Sequence, residues 1–550
     1  MKLRIAVVLL ICILCLACLP ACEQSSGFFP TSDPEPAEPV VKIEESLDVQ
    51  IPINRIRSLN PALSTDEDTY HINRLVYEGL FALDENLIPQ LLLADSYNYS
   101  DDGRSLHIVL KNDILWHDGE VLTAQDVKFS VDVYKRAGEA GLSLYGSHVA
   151  AIRSVTVEND TELTIRFEEI GDTTITNLTF PILPSHAYKN AAQVLELSNF
   201  VPLGTGPYKV ESFESLKQLT LVGYSGYREE TPSNRLIFRV LPDKDEAAVL
   251  FDSLQLDMAF MDGVDRGILL DGMGLQMISY VTNEAEIMGF NLTRAPLDKR
   301  TFRQAVAAAV DRQEILDSAY YGNGTFSDTA FFPGYLDTDA HYRLISYNLD
   351  EARRLLAESG YADLNGDGFA EDAEGNVPRL TIIVDGDNVP RNLTAQMIQN
   401  SLTELGIPSK LEALSREDYL ARIAEKDFDI YVGGYRMADT GDMRFLYHSA
   451  WNNPAGYNNA VMDSTLDKLM GSGSTEEKRS LFLQARELIV EELPYYCLLY
   501  KTGGVVLAPS FTGSLEPSFN NIYEGCETWR CKYEVVEDAN ADADAATNLH

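Results

Sequence analysis

The segment Asp363–Glu374 has the side chains whose types and spacing are best suited to binding a metal ion. It reads DLNGDGFAEDAE and fits the loop of an EF-hand, in which regularly spaced oxygen atoms surround Ca²⁺ and a glycine makes the sharp turn. The predicted ligands are Asp363, Asn365, Asp367, the Phe369 carbonyl group, Glu371 and Glu374. A capped helix is predicted before the loop, but GNVP and a strand-like run follow it instead of a second helix. The pattern therefore predicts either a structural calcium ion or a solvated acidic turn, and the sequence requires no other cofactor.

The pair Trp116 and His117 offers a second chemistry, because an indole ring can stack on a sugar and an imidazole can bind a metal. The alternative is a packed tryptophan beside a turn histidine. The eight histidines are scattered without a His-x-x-His grouping, which argues against direct nickel ligation. The sequence has no Gly-x-Ser-x-Gly, His-Glu-x-x-His, phosphate-loop or Gly-x-Gly-x-x-Gly motif. No catalytic residue is predicted, and we do not expect an enzyme.

The cysteines fall into two groups. Four of the seven lie within the first 22 residues, and the other three are Cys497, Cys526 and Cys531. Cys526 and Cys531 are close in sequence near the C-terminus, and outside the cytoplasm they are predicted to form a disulfide. Cys497 lies in an apolar, strand-like run and is predicted to be a buried free thiol.

The N-terminal segment predicts export and attachment to a membrane surface. Two basic residues precede the apolar run Ile5–Leu19, which is too short to span a bilayer and typical of a signal peptide. The run ends in LPAC, which resembles the cleavage site of bacterial lipoproteins. Residues 1–21 are therefore predicted to be removed and Cys22 to be lipidated. Cys18 is a competing site, and an uncleaved anchor is the alternative.

Charge and composition describe the rest of the chain in outline. Residues 22–45 are rich in Ser, Pro and Glu and predict a flexible tether, and residues 534–550 predict a disordered acidic tail. The 84 acidic and 44 basic residues give a formal net charge of −40, which repels nucleic acid and anionic lipid headgroups. Such a surface attracts basic solutes or divalent cations, or it serves solubility alone.

The length of 550 residues predicts two or three domains, and the local patterns predict alternating strands and helices. A strand is predicted where apolar residues alternate with others at Leu47, Val49, Ile51 and Ile53. Helix starts are predicted at two capping pairs, Asn348 with Glu351 and Ser474 with Glu477. These patterns are typical of an α/β or α+β protein.

Seven short motifs follow one another along most of the chain. They are YEGL at Tyr77–Leu80, WHDGEVLTAQDVKFS at Trp116–Ser130, ILPSH at Ile182–His186, GTGPY at Gly204–Tyr208, FNLT with FRQA and VDR between Phe290 and Arg312, Asn458-Asn459 ahead of Asp463, and Leu493-Pro494. Their order resembles that of the family 5 extracytoplasmic solute-binding proteins. These are the oligopeptide, dipeptide and nickel receptors of ABC importers.

The resemblance implies an α/β fold with mixed sheets and two lobes, the three-domain, type II, cluster C form of the periplasmic-binding-protein fold. It implies a first lobe made of domain I (46–82, 200–287 and 499–533) and domain II (83–199), and a second lobe made of domain III (288–498). A solute is expected to be enclosed between the lobes by hinge motion. The implied partners are a peptide or other small solute, an ABC permease and its ATPase subunits, and not nucleic acid. The implied state is a lipid-anchored monomer on the extracytoplasmic face of the cell membrane, either periplasmic or at the cell surface.

The resemblance also suggests one residue for the ligand. In peptide-binding members an aspartate after a similar aromatic stretch pairs with the ammonium group of the peptide, and Asp439 in GGYRMAD occupies that place. The chain departs from the family pattern at Thr440 and Met443. Asp439 is therefore predicted to hold an ammonium group, and the alternatives are a cleft carboxylate with another partner or a surface loop residue. Aromatic residues near it in sequence are predicted to line the cleft or, alternatively, to pack in the core: Tyr435, Trp451 and Tyr457.

The implied function is the capture of di- or oligopeptides, by Asp439 and by main-chain groups of the cleft, and their delivery to the permease. A metal chelate, an opine or an oligosaccharide bound by the same fold is one alternative. A receptor that senses its ligand without transport is another.

Overall fold

The computed structural model describes residues 40–537 except 65, 169–174, 197–199, 242–249, 252, 254, 263–273, 339–344 and 473. The predicted signal peptide, Cys22, most of the tether and most of the acidic tail lie outside these described residues. The chain divides into a unit of residues 1–44 and 534–550 and a unit of residues 45–533. In the first unit, the described residues 40–44 and 534–537 belong to strands. The cavities, ion pairs and acidic loop described below lie in the second unit.

The strands of the described residues are β1 (Val40–Ser46), β2 (Asp48–Ile53), β3 (Phe81–Leu83), β4 (Pro89–Leu91), β5 (Ala94–Tyr99), β6 (Ser105–Leu110), β7 (Ile152–Val157), β8 (Glu162–Phe167), β9 (Tyr208–Glu214), β10 (Gln218–Gly223), β11 (Arg235–Val240), β12 (Met258–Asp262), β13 (Gln276–Phe290), β14 (Gly324–Thr325), β15 (Leu380–Asp385), β16 (Ser409–Leu414), β17 (Ile430–Arg436), β18 (Tyr495–Leu507), β19 (Phe511–Thr512) and β20 (Arg530–Glu537). The α-helices are α1 (Glu67–Val76), α2 (Ala124–Glu139), α3 (Gly146–Ala150), α4 (Ala191–Val194), α5 (Arg300–Ala308), α6 (Arg312–Ala319), α7 (Leu349–Glu358), α8 (Val389–Glu404), α9 (Arg416–Ala424), α10 (Arg444–Tyr447), α11 (Ala460–Gly471) and α12 (Thr475–Glu492). Short 3₁₀ helices lie at Ile175–Leu178, Ser185–Ala187, Tyr335–Asp337, Ser449–Trp451 and Cys526–Thr528.

The N-terminal half contains two four-stranded sheets. One has the order β2-β11-β10-β9, with β2 parallel to β11, and the other has the order β5-β6-β8-β7, with antiparallel pairs throughout. In β2 the buried residues Val49, Ile51 and Ile53 alternate with more exposed ones, because one face of the sheet packs on the core. This confirms the predicted strand, although Leu47 falls between β1 and β2 and is exposed.

A mixed seven-stranded sheet joins the two halves of the molecule. Its long strands β13 and β18 pair antiparallel, β17 pairs antiparallel with β13, and β15 is parallel to both β17 and β16. Core residues at the two ends of β18 belong to different clusters: Val505 is in the cluster that contains Val49 of the N-terminal half, and Leu498 is in the cluster that contains Ile382 of β15. The paired strands β13 and β18 therefore run from one lobe into the other, which confirms the predicted fold class. The domain boundaries stay a prediction.

Helix capping follows the local sequence. The Asn348 side chain accepts hydrogen bonds from the N–H groups of Asp350 and Glu351 at the start of α7. The Ser474 side chain accepts one from Glu477 at the start of α12. Both predicted helix starts are confirmed, because each side chain satisfies N–H groups that have no partner within the helix. Among the helices of the described residues, none has the length and apolar character required to cross a bilayer.

Candidate functional site

The motif residues Trp116 and His117 belong to the scaffold of the first lobe. The Trp116 ring is fully buried, and its carbonyl oxygen accepts a hydrogen bond of 2.7 Å from the Tyr224 hydroxyl. Nδ1 of His117 accepts from the Gly204 N–H at 3.3 Å, and Nε2 lies 3.0 Å from the Gly206 carbonyl oxygen. This pattern fits a neutral ring with its proton on Nε2. The ring nitrogens are thus satisfied by the GTGPY turn, so the packed alternative describes this pair.

A residue larger than glycine at position 204 would clash with the backbone of α1. A Cβ atom there would lie 1.8 Å from the Val76 carbonyl oxygen, and one at Gly206 would lie 2.5 Å from the Leu75 carbonyl oxygen. The end of α1 therefore packs directly on the backbone of the GTGPY turn. This contact places α1 at the edge of the cleft described next.

Three adjoining cavities form a cleft where α1, strands β13 and β18 and the second lobe meet. Their volumes are about 460, 210 and 170 Å³, and Glu67 at the start of α1 lines all three. Tyr280 of β13 is shared by the two larger cavities, and Arg436 at the end of β17 is shared by the largest and the smallest. The second lobe adds residues that follow α6 and that begin α8: Tyr320, Tyr321, Asn323, Asn388, Val389 and Pro390.

A chain of ion pairs runs along the wall of the largest cavity. The buried Glu286 accepts two hydrogen bonds from Arg391, at 2.7 and 3.0 Å, and its Oε1 lies 3.2 Å from Nζ of Lys501. Lys501 also lies 2.8 Å from Oε2 of Glu284, whose Oε1 accepts from Nε of Arg436 at 2.7 Å. Burial opposes ionisation of Glu284, but the hydrogen bonds and charges of Lys501 and Arg436 lower its pKa overall.

The end of this chain reaches the first lobe. A guanidinium nitrogen of Arg436 lies 3.4 Å from Oε2 of Glu67 on α1. The cleft therefore presents fixed charges of both signs, contributed by both lobes and by the strands between them. The sequence contained a signal for Glu286 and Lys501, because each is a charged residue next to an apolar strand run, EIMGF and YYCLLYK.

The predicted ligand residue Asp439 does line the cleft. It borders the smallest cavity together with Glu67, Tyr70 and Arg436, and its Oδ2 accepts a hydrogen bond of 3.4 Å from the Tyr70 hydroxyl. Arg74 is close enough to Tyr70 and Asp439 to interact with both electrostatically. Burial opposes the charge of the Arg74 guanidinium group, but the charges of nearby tyrosines and of Asp439 raise the pKa of Arg74 overall. Within the described ranges, Asp439 therefore has one weak hydrogen bond, and both its donor Tyr70 and the nearby cation Arg74 belong to the first lobe.

None of the three aromatic residues named from the sequence borders the three cavities, and Tyr435 and Tyr457 follow the alternative of core packing. Trp451 is 51% exposed and stacks on the Arg444 guanidinium group, whose carbon is 4.9 Å from the ring centroid. The Tyr435 hydroxyl donates to the Ala330 carbonyl oxygen, and Tyr457 is buried in a core cluster of the second lobe. The tyrosine and phenylalanine residues that line the cavities are Tyr70, Phe260, Tyr280, Tyr320, Tyr321 and Phe519.

The acidic loop keeps three of its four predicted carboxylate ligands together. One carboxylate oxygen from each of Asp363, Asp367 and Glu371 lies within 4.8 Å of the others, and Glu374 is not in this group. The reason is that Ala362 and Glu371 form a backbone bridge that closes the loop before Glu374. The backbone N–H of Glu374 instead donates to Asp372, in the turn that follows.

The three cysteines of the described residues are free and buried. The thiol of Cys526 contacts the Tyr208 hydroxyl, whereas that of Cys531 contacts Asp257 and Tyr533. The predicted Cys526–Cys531 disulfide is therefore not formed, because the two side chains face different surroundings. Cys497 is a buried free thiol, as predicted.

Acid is expected to destabilise the protein through its buried histidines. Burial lowers the pKa of His71, which lines two of the cavities, to about 3, and that of His117 to about 4. In the unfolded chain the pKa of a histidine is about 6.5. The unfolded chain then binds protons that the folded protein excludes, so stability is lost as the pH falls from about 6.5 towards these lower values. We expect His117 alone to reduce the free energy of unfolding by roughly 3 kcal/mol at pH 4, measured as the urea midpoint against pH.

The variant His71→Phe should flatten this pH dependence, because it removes one titrating ring and keeps an aromatic side chain. His107 is partly exposed on β6 and is a matched control. The variant His107→Gln should keep the acid-induced loss of stability. An equal pH dependence in wild type and His71→Phe would show that His71 does not contribute.

Comparisons with known proteins agree on one family. Residues 89–458 match the model of the bacterial extracellular solute-binding proteins, family 5, middle region. The chain is 24% identical over 491 residues to the oligopeptide-binding protein AppA of Bacillus subtilis (strain 168), covering 86% of this chain and 89% of that protein. It is 24% identical over 466 residues to the glutathione-binding protein GsiB of Salmonella choleraesuis (strain SC-B67), covering 80% and 86%. The crystal structure of NikZ from Campylobacter jejuni in complex with Ni(L-His) matches with a TM-score of 0.63 at 22% identity, over 88% of this chain and 99% of that chain, and this likeness concerns the fold.

Proposed function

The chain belongs to the bacterial extracellular solute-binding proteins of family 5, which serve ABC importers, and we propose that its own ligand is a di- or oligopeptide held in the cleft between the lobes. The observation that carries the proposal is the position of Asp439. It is a carboxylate on the cavity wall, and among the described residues its one direct hydrogen-bond donor is the Tyr70 hydroxyl, at 3.4 Å. A primary ammonium group that displaces this weak contact gains a charge-assisted hydrogen bond.

The size of the cleft supports a small peptide. Its largest cavity, of about 460 Å³, falls within the range of roughly 300–1,000 Å³ found for small-molecule sites. The smaller cavity that contains Asp439 adjoins it and shares Asn283 and Phe519 with it. A peptide whose ammonium group is at Asp439 can therefore extend into the larger space.

The positive charges that line the largest of the three cavities could bind the carboxylate end of the peptide. Lys501 and Arg436 line the largest cavity, and either can bind a carboxylate by exchanging part of its contact with Glu284. Amide side chains at Asn283, Asn323 and Asn388 can bond to peptide groups, and Tyr280, Tyr320 and Phe519 offer apolar surface. A ligand with separated positive and negative groups and peptide bonds between them fits this lining better than an uncharged sugar does.

We further infer that the protein is held at the outer face of the cell membrane by lipid on Cys22. Closure of the lobes about β13 and β18 would enclose the peptide, and the closed protein would present it to the permease. The energy for uptake then comes from the ATPase partner, because this sequence has no phosphate-loop motif.

Thermal unfolding tests the ligand class. A soluble form beginning after Cys22, incubated with peptides of two to nine residues, should show a melting temperature raised by about 3 °C when the free peptide reaches roughly 100 times its Kd. The reason is that a ligand bound only by the folded state shifts the unfolding equilibrium by mass action.

Parallel samples with heme, a nickel–histidine complex and oligosaccharides provide the comparison. Stabilisation by one of these, with none from any peptide, would contradict the peptide proposal and leave the family assignment unchanged.

A further inference from the structure

The acidic loop between α7 and β15 holds three carboxylate groups that form no ion pair with a lysine or arginine among the described residues. Oxygens of Asp363, Asp367 and Glu371 lie within 4.8 Å of one another. Ligands bound to one Ca²⁺ at roughly 2.3–2.6 Å can be at most about 5 Å apart, so this spacing allows all three to contact one ion. Among the described residues, no lysine or arginine forms an ion pair with any of the three. Three negative charges at this distance repel one another.

Glu371 makes this more than a group of exposed acids. Glu371 is only 4% exposed, and its Oε1 accepts a hydrogen bond of 3.0 Å from the Leu364 N–H. Its other oxygen, Oε2, is buried and has no hydrogen-bond partner within the part of the chain that the structure describes. A buried ionised oxygen without a partner is costly, because it has lost its hydration and gained nothing in exchange. A cation shared with Asp363 and Asp367 would give this oxygen a partner.

The loop backbone holds the carboxylates in place and leaves room for metal bonds. Asp363 accepts the N–H groups of Gly366 and Gly368, at 2.7 and 3.0 Å, and Asp367 accepts that of Phe369 at 2.9 Å. Each carboxylate oxygen that accepts one N–H group keeps a further lone pair for a metal. Gly366 and Gly368 have positive φ angles of 80° and 89°, which tighten the turn around the shared space.

We propose that this loop binds a calcium ion through Asp363, Asp367 and Glu371, with Asn365 and the Phe369 carbonyl group as neutral oxygen donors. Hard oxygen ligands alone, without histidine or cysteine, favour Ca²⁺ over Zn²⁺. In the EF-hand pattern Glu374 would be the last carboxylate ligand of the ion. Here Glu371 has that role, because the Ala362–Glu371 backbone bridge closes the loop before Glu374. This site is separate from the cleft and does not depend on the proposed ligand.

The calcium ion would stabilise the packing of the loop on the core of the second lobe. The buried Ala370 lies next to Glu371, and its N–H donates to the Gly406 carbonyl oxygen at 2.9 Å, beyond the end of α8. Calcium bound at Glu371 thus stabilises a segment that packs on the core of that lobe.

Calcium titration of the soluble chain, followed by calorimetry and by thermal unfolding, tests the proposal. We expect one site with a Kd of roughly 0.1–1 mM, typical of extracellular calcium modules, and a melting temperature raised by about 1–3 °C in 10 mM CaCl₂. The variant Glu371→Gln should weaken calcium binding at least about tenfold. In chelator it should melt at the wild-type temperature or higher, because it removes a buried charge without a partner.

The variant Glu374→Gln is the matched control, three residues away in the same acidic loop, and it should keep wild-type calcium affinity. The proposal is overturned if Glu371→Gln keeps the full calcium response, since the effect would then be screening of the acidic chain. It is also overturned if Glu374→Gln loses the response, or if calcium leaves the melting temperature of the wild type unchanged.

Discussion

Replacing Arg228 with alanine is expected to lower the free energy of unfolding by about 3–5 kcal/mol. Arg228 donates two hydrogen bonds, of 2.8 and 2.6 Å, to the carboxylate of Glu78, whose side chain is only 4% exposed. The same carboxylate accepts from the Thr205 hydroxyl at 2.9 Å and from the Tyr227 hydroxyl at 3.3 Å. Alanine would leave these neutral donors but remove the only charge paired with a buried carboxylate, as seen among the described residues. Urea denaturation at neutral pH measures the loss.

An exposed arginine provides the matched control. Arg235 pairs with Glu211 at 2.7 Å, but both side chains are more than 40% exposed. Solvent screens such a pair, so Arg235→Ala should cost about 1 kcal/mol or less. The double variant Glu78→Gln with Arg228→Met should recover part of the stability, because no charge is then left buried. A loss below 1 kcal/mol for Arg228→Ala would show that Glu78 does not depend on its partner.

This ion pair shows what the sequence could and could not predict. Glu78 and Thr205 belong to two motifs that the sequence identifies, YEGL and GTGPY, but nothing local indicates that they touch. They are separated by 127 positions, and Glu78 and Arg228 by 150. The family motifs were therefore visible, whereas their physical reason is a buried network that only the folded chain assembles.

Local rules succeeded where the partners are close in sequence. The caps Asn348 and Ser474 bond to N–H groups two or three residues away, so their pattern is sufficient to place α7 and α12. The calcium motif shows the limit of such rules. Its spacing predicts Glu374 as a ligand, but the bridge from Ala362 to Glu371 overrides the spacing and brings Glu371 into the group instead.

The residues that line the cleft were the hardest part of the molecule to predict from the sequence. Asp439 meets Tyr70 across 369 positions, whereas Tyr435 and Tyr457, which lie near Asp439 in sequence, pack in a core cluster and do not border the cavities. A charged residue in an apolar strand run was the one usable signal, and it leads to Glu286 and Lys501. The face of these strands that meets the cavity depends on the register in which β13 and β18 pair. The sequence of one strand alone does not determine that register.

Replacing Asp439 with asparagine is expected to weaken peptides with a free ammonium group by about 2–3 kcal/mol, or roughly 30- to 150-fold in Kd. Asparagine keeps the shape and one oxygen acceptor but loses the charge that balances the ammonium group. The effect should be at the lower end of the range for buried charge pairs, because Arg74 already shares the Asp439 charge. Calorimetric titration with a peptide selected in the thermal screen measures it.

The N-acetylated form of the same peptide separates the charge effect from any change in the cleft. The substitution also leaves Arg74 less balanced, but that change is the same for both peptides and cancels in the comparison. The acetylated peptide should therefore lose less than about threefold. The variant Asp442→Asn is the matched control, because that carboxylate lies three residues on, is bound by Arg444 at 2.7–3.2 Å, and does not border the three cavities. Equal losses for the free and acetylated peptides in Asp439→Asn would assign Asp439 to the contact between lobes rather than to the ammonium group.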